Sequence, residues 1–417
     1  MWEAVKSITA LLLSFGLLLM GNGMTSTLLG IRSRLEGFST ETTGFILAGF
    51  FVGMLIGAVQ AIRIVAAVGH VRAFAAFASL ASVAILLHLL FVYPIVWFGL
   101  RVLGGFCMAG MVMVVQSWVN ERAPNALRGR IMSIYMIINF MGAGLGQFML
   151  LTGNPDAFEL FVIASVVYSV ALVPILLSNA EAPRPASPDR AKLRELLRIS
   201  PVGVCGTFCA GLINSSVNAM GPVFAKETGL AIADVSTFMA SVILGGMVLQ
   251  FPLGRLSDKF DRRVVMAVAA AATGTAAFGV IWASEMNTVM LFAAGALLGG
   301  FCFTVLPLSS SQVNDRADPA MRVQVASGLL IAFGVGASLG PVLAGQMMAQ
   351  GGPAGLMWFL STVCAALVVF TLVRMALRDG ASEDEKAPFI PLAGNAGASR
   401  QLYTAAMDDT KSEEEKP

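Results

Sequence analysis

Charge is the scarcest thing in this chain. Only 12% of its 417 residues are Asp, Glu, Lys or Arg, against ~25% in a soluble domain, and 57% are hydrophobic. A water-soluble fold has no way to hide that much apolar surface. The formal net charge is +2, and the basic residues are scattered rather than striped, which points away from nucleic acid. Cysteine is sparse too. Cys107, Cys205, Cys209, Cys302 and Cys364 sit in apolar runs without metal-ligand spacing, so a metal site is not expected and a disulfide framework is disfavoured. Cys205 and Cys209 share a helical face and read as packing residues. There is no phosphate-binding P-loop and no His/Cys cluster. No catalytic constellation, cofactor or ATP-driven step is therefore expected, and the chain does not read as an enzyme.

What is abundant is the long apolar run. Twelve segments, near 8–30, 43–63, 72–92, 95–119, 131–151, 158–178, 200–223, 235–255, 264–283, 287–310, 323–348 and 355–376, are long enough to cross a ~30 Å hydrocarbon layer. Runs this continuous are too apolar for barrel strands that alternate polar and apolar, so each is expected to be a helix. The first is too long for a signal-peptide core and lacks an A-x-A-like site near its end, so it reads as a retained helix. The expected fold is an all-α integral membrane protein with twelve transmembrane helices in two pseudo-symmetric halves. Residues 1–178 form the N-terminal six-helix half, 179–199 a Pro- and charge-rich cytoplasmic linker, and 200–378 the C-terminal half. Residues 379–417 hold nine acids and four bases and read as a disordered cytoplasmic tail.

Charge placement orients the spans. With the N-terminus inside, 23 of the 27 Lys and Arg residues fall on the cytoplasmic side and three (Arg32, Arg34, Lys226) outside. That is a strong positive-inside signal, and an even helix number leaves both termini in the cytoplasm. The expected location is a bacterial inner membrane.

The chain also says nearly the same thing twice. Leu103–Cys107 and Leu298–Cys302 both read LGGFC, and VNERAP (119–124) is echoed by VNDRAD (313–318). Arg128, Ser133, Gly142 and Gly146 meet Arg322, Ser327, Gly336 and Gly340 at an offset of 194. Earlier in the halves the offset is 192, pairing Asn22 with Asn214, Gly37 with Gly229, Gly53 with Gly245 and Arg63 with Arg255. Half-length copies in a very apolar chain are the mark of a transporter built from repeats around a central site.

One turn carries a further likeness. Gly254-Arg255-Leu256-Ser257-Asp258-Lys259-Phe260-Asp261-Arg262-Arg263 resembles the G-x-x-x-D-(R/K)-x-G-(R/K)-(R/K) turn of the major facilitator superfamily, with Asp261 in place of the second glycine. The corresponding earlier turn keeps Arg63 and Gly69 but has Ala66 where the aspartate belongs. Arg101-x-x-x-Gly105 resembles the family's fourth-helix arginine motif, and Glu121…Arg128-Gly129-Arg130 its 4–5 turn. Within the family the chain resembles a bacterial, YcaD-like branch. The resemblance implies that Asp258 lies against the start of helix 5, here Arg128-Gly129-Arg130, and latches the halves on the inside. A carboxylate is stabilised at a helix N-terminus. The symmetric latch near Arg322 would be missing, because Ala66 cannot make it. The alternative is that Arg255, Asp258, Arg128, Arg130 and Arg322 are solvated turn residues.

Candidate substrate-binding residues are the polar groups inside spans. Arg101 is the single charge well inside one, and no Asp or Glu lies mid-span to pair with it. It either binds an anionic group or is satisfied by backbone carbonyls. Asn22 and Ser26 on helix 1, and Asn214 and Asn218 on helix 7, are i, i+4 pairs on single faces. The resemblance implies that helices 1 and 7 line the cavity. Gln116 and Asn139 complete the set; Gln147 shares a face with Asn139. Interhelical hydrogen bonding is the alternative for each. The absent mid-span carboxylate leaves proton coupling without a clear carrier. The function expected is a monomeric secondary transporter moving a small organic solute or drug-like compound by alternating access, with that solute and membrane lipids as partners. A non-transporting receptor or scaffold of the same fold, or a lipid or amphiphile mover, are the alternatives.

Overall fold

The structure is a computed structural model. It describes residues 2–122, 128–177, 193–318 and 321–377 together with Phe389 and Leu392; for residues 2–8, 120–122, 128–130, 193–195 and 322–323 it describes the backbone alone. Among the described residues every regular element is helical. The N-terminal half holds α1 (Trp2–Leu35), α2 (Thr40–Val68), α3 (His70–Leu90), α4 (Pro94–Arg122), α5 (Arg128–Phe148), α6 (Glu159–Val170) and its short continuation α7 (Val173–Leu176). A short α8 (Leu193–Ile199) precedes the second half: α9 (Pro201–Glu227), α10 (Ile232–Lys259), α11 (Arg262–Met286), α12 (Thr288–Asn314), α13 (Arg322–Gly351) and α14 (Gly355–Leu377). α6 and α7 make one span, which gives 12 helical segments long and apolar enough to cross a membrane. Leu90, Leu177, Val289 and Leu377 are among the large apolar side chains left exposed around the bundle, as a lipid-facing perimeter requires.

Helix ends follow local chemistry. Ser39 accepts from Thr42 N at 3.2 Å to cap α2, and Asn287 accepts from Met290 N at 2.9 Å to cap α12. Ser200 caps α9, whose first residue is Pro201; such residues satisfy the orphan N–H groups of a first turn. Gly37 and Gly229, the pair 192 apart, both have positive φ (81° and 87°) where the first helix of each half turns into the second, a conformation that favours glycine. The linker expected over 179–199 contains α8, whose Leu196 packs with Val204, Val325 and Leu329 of the second half.

The repeat is visible in the packing. A Cβ at Gly53 of α2 would lie 2.0 Å from the Val102 carbonyl oxygen of α4, and one at Gly245 of α10 would lie 2.0 Å from that of Ala296 of α12. The α1–α5 crossing at Gly142 (Gly16 carbonyl) and Gly146 (Met20 carbonyl) recurs between α9 and α13 at Gly336 (Phe208 carbonyl) and Gly340 (Leu212 carbonyl). Both crossings bring backbones into near contact through small residues.

The bundle has a terminal end, where α1 begins and α14 ends, and an opposite end. Among the described residues, contacts between the halves include the opposite end and the middle. At the opposite end Arg34 Nε pairs with Glu227 Oε1 at 2.7 Å, and Gly44 and Thr40 of α2 pack on Pro341 and Gly345 of α13. Near the middle, Leu55 of α2 touches Gly334 of α13, and Phe140 of α5 touches Gly246 of α10. The two side chains are 32% and 19% exposed, and their pairing atoms are buried, so the pair contributes about 1 kcal/mol, the upper end for such pairs. Glu227→Gln should therefore part the opposite end only a few-fold more often. The check is the distance distribution between spin labels at Leu35 and Ala231, which flank the opposite end.

Candidate functional site

Helical phase decides which polar groups look between the halves. On α9, Gly211 faces Phe333 of α13 and Gly221 faces Met239 of α10; Asn214 and Asn218 fall on the strip between these two directions. On α1, Gly30 faces Val223 and Ala219 of α9 and Leu47 of α2, while Gly23 faces Ala143 of α5. Ser26 and Asn22 lie one and two turns below Gly30 on that side, toward the terminal end. The two symmetric pairs thus descend from the place where α1 and α9 meet.

The two asparagines that the repeat pairs, Asn22 and Asn214, are poorly satisfied. Asn214 Oδ1 and Nδ2 are both buried without a hydrogen-bond partner, and so is Asn22 Oδ1. Asn218 Nδ2 donates to the Asn214 carbonyl at 2.7 Å, and Ser26 is half-buried. Most buried polar groups in proteins have partners, so a set of orphaned amides on facing helices calls for a ligand or water.

The other candidates separate. Gln116 Nε2 donates to the Tyr135 hydroxyl at 2.8 Å, tying α4 to α5. Gln147 bridges α5 to α1, accepting from Thr27 Oγ1 at 2.6 Å and donating to the Gly23 carbonyl at 3.2 Å. These amides make the interhelical bonds that sequence reasoning offered as the alternative. Asn139 is buried on the side of α5 that packs on α1, with Nδ2 unpartnered. Arg101 is also inside the first half. It is 4% exposed, its Cβ packs on Gly49 of α2, and its guanidinium lies over the Phe50 ring, 4.5 Å from the centroid. Tyr168 is within electrostatic range, and that phenol packs on Gly21, on the α6-facing side of α1. A cation–π contact with Phe50, rather than a carboxylate, faces this buried charge, and Arg101 is not brought together with the α1–α9 pairs.

At the terminal end, Asp258 Oδ1 pairs with Arg262 Nη1 at 3.2 Å, and Arg262 Nε with Asp315 Oδ2 at 2.5 Å. Arg255 is exposed on α10. The side chains of Arg128, Arg130 and Arg322, on which the expected latch falls, lie outside the described residues. The sequence missed the Arg262–Asp315 pair, whose two side chains are each 1% exposed; their membership of two repeated turns was its only signal.

The family model described as Major Facilitator Superfamily matches residues 11–224 and again 203–406. The chain belongs to the major facilitator superfamily. It is a multi-pass membrane protein of a family of secondary transporters and not an enzyme. Two curated members are uncharacterized MFS-type transporters YcaD. That of Salmonella paratyphi A (strain ATCC 9150 / SARB42) is 23% identical over 352 residues, 84% of this chain and 90% of that protein. That of Salmonella newport (strain SL254) is 23% identical over 347 residues, 82% and 89% of the two chains. Among solved structures, the nucleoside transporter NupG superposes with a TM-score of 0.73 at 15% identity, covering 90% of this chain and 99% of that one. A D-xylose-proton symporter gives 0.69 at 14% identity, covering 87% and 96%. These superpositions show the fold.

Membership makes one departure from the family turn intelligible. Asp261 stands where the pattern has glycine, and its repeat-mate, 192 residues earlier, is Gly69. Gly69 has φ 87°, a conformation that favours glycine. Asp261 has φ −59° and caps α11, accepting from Arg263 N at 2.9 Å. The two halves close the same turn by different means, so the aspartate costs no backbone strain.

Proposed function

We propose that this superfamily member moves a small organic solute or drug-like compound across a bacterial inner membrane by alternating access, with the terminal end in the cytoplasm. The 23-to-3 distribution of Lys and Arg supports that orientation. The site lies between Asn22 and Ser26 of α1 and Asn214 and Asn218 of α9. The observation that carries it is the orphaned amide set, above all Asn214, which has neither amide atom satisfied. Amides both donate and accept, and no carboxylate stands among these four residues, so the solute best matched offers hydrogen bonds of both kinds without needing a cation partner. Asp258, Arg255, Arg128, Arg130 and Arg322 are the proposed gate at the cytoplasmic end, opening and closing as the halves rock.

The test is a solute panel scored by thermal unfolding, followed by flux in proteoliposomes. A ligand at 100 times its dissociation constant adds about 2.7 kcal/mol to the folded state. Asn214→Leu should abolish that shift and the flux while leaving the unliganded unfolding temperature unchanged or raised, because it removes unsatisfied atoms. A solute that stabilises wild type and variant equally, and is carried by both, would move the site elsewhere. Binding without flux would favour a receptor.

A further inference from the structure

Sequence reasoning gave residues 379–417 no packed role, and at two positions the structure differs. A Cβ at Gly254 of α10 would lie 2.4 Å from Phe389 Cε1, so the ring rests on bare helix backbone. One turn earlier Gln250, itself 1% exposed, donates Nε2 to the Leu392 carbonyl at 2.7 Å. Leu392 is 5% exposed and joins the main apolar core, with Phe389 packed against it. In sequence this is an apolar island, Pro388-Phe389-Ile390-Pro391-Leu392, in a tail acidic on both sides at Glu383–Glu385 and Glu413–Glu415.

The seat lies on the surface that has to close. Gly246, Gln250, Gly254 and Asp258 follow one another in steps of four along α10, which keeps them on one side of the helix. Gly246 is where α10 meets Phe140 of α5, and Asp258 is the gate carboxylate. On α5 the matching series is Gly144, Phe140, Ile137 and Ser133. The first two touch α10, whereas Ile137 is 46% exposed and Ser133 is exposed. Toward the terminal end, the described part of α5 thus leaves this side uncovered alongside the tail seat on α10.

We propose that Phe389 and Leu392 form a built-in wedge. Seated on α10, these two residues keep α5 and α10 apart at the terminal end and hold the transporter in the state open there; closing that end requires them to leave. Ile137 and the Gln250–Gly254 surface are what the departing tail frees to meet. Gly254 then has two roles: it lets α5 approach in the closed state and it seats Phe389 in the open one. The proposal rests on the alternating-access reading and adds to it a control by the chain's own C-terminus.

The test uses the full chain in lipid nanodiscs with spin-label pairs read by pulsed electron resonance. Cys205, the one half-buried cysteine, is replaced by alanine. One pair, at Ala67 and Lys259, reports the terminal end across the halves; another, at Leu35 and Ala231, reports the opposite end. Phe389→Ala/Leu392→Ala and, separately, Gln250→Ala should each raise the short-distance population of the first pair several-fold and lengthen the second. The tail substitutions leave every helix intact, and the wild-type unfolding temperature of the labelled variants checks this. If both pairs interconvert but in the same proportions with and without the tail residues, the wedge is wrong and alternating access stands. If neither pair shows a second population in any variant, both fail.

Discussion

A Gly299→Val substitution should leave almost no monodisperse protein. Gly299 of α12 faces the backbone of α10 so closely that a Cβ would sit 1.8 Å from the Val242 carbonyl oxygen and 2.6 Å from its carbon. Overpacking a core usually costs about 1–3 kcal/mol because side chains can rotate aside. Here the obstacle is a carbonyl inside a hydrogen-bonded helix, so relief means prising two long helices apart and losing their contact along its length. The cost should reach or exceed the top of that range. The repeat supplies an internal replicate: Gly105, 194 residues earlier, would place a Cβ 1.9 Å from the Phe50 carbonyl oxygen of α2, and Gly105→Val should fail in the same way. Gly279 of α11 has open space around it, so Gly279→Ala should be neutral or should stabilise by up to about 1 kcal/mol through helix propensity. Size-exclusion profiles and thermal unfolding decide it. A Gly299→Val protein that melts with wild type would mean that α10 and α12 do not cross this closely.

Those glycines also show what could be read before the structure. The twelve spans were legible because lipid admits only long apolar helices, and the small-residue periodicity because close crossings need it. The ends were less so. The expected 235–255 span became Ile232–Lys259, since a helix does not stop where its residues become polar; it runs on through Arg255 and Asp258 into the turn. The polar residues were ambiguous for a chemical reason. An amide that staples two helices, such as Gln116 on Tyr135, and one left unpartnered, such as Asn214, are chemically alike and sit on the same kind of helix. Only the position of a partner on another helix distinguishes them, and helix phase alone does not give that position. The sequence offers Arg101 an anionic solute group or backbone carbonyls, whereas the structure sets its guanidinium over the Phe50 ring. Phe389 carried no local signal: its seat is a glycine 135 positions earlier, already accounted for by the family turn.

Asp315→Ala should produce the largest loss among polar substitutions, and it separates stability from gating. Arg262 opens α11 and Asp315 follows α12, so their pair ties the terminal ends of two helices together. Both side chains are 1% exposed and the Nε–Oδ2 distance is 2.5 Å; Ser257 Oγ accepts from Nη1 at 3.1 Å. Removing the carboxylate takes away half of a buried ion pair, a change that typically costs about 3–5 kcal/mol. A second anion beside Arg262 is Asp258, 39% exposed at its side chain and 3.2 Å away, which can offset part of that loss by turning inward. A double variant, Arg262→Met with Asp315→Leu, removes both charges and should recover most of the unfolding temperature, because apolar pairs often replace buried ion pairs at no cost. Gating should respond differently. In Asp315→Ala, Asp258 is drawn toward Arg262 and away from α5; in the double variant it loses that competitor altogether. The Ala67–Lys259 distance should therefore shift toward the open population in the single variant and toward the closed one in the double. If both variants shift that distance in the same direction, Asp258 does not choose between Arg262 and the start of α5, and the proposed gate loses its aspartate.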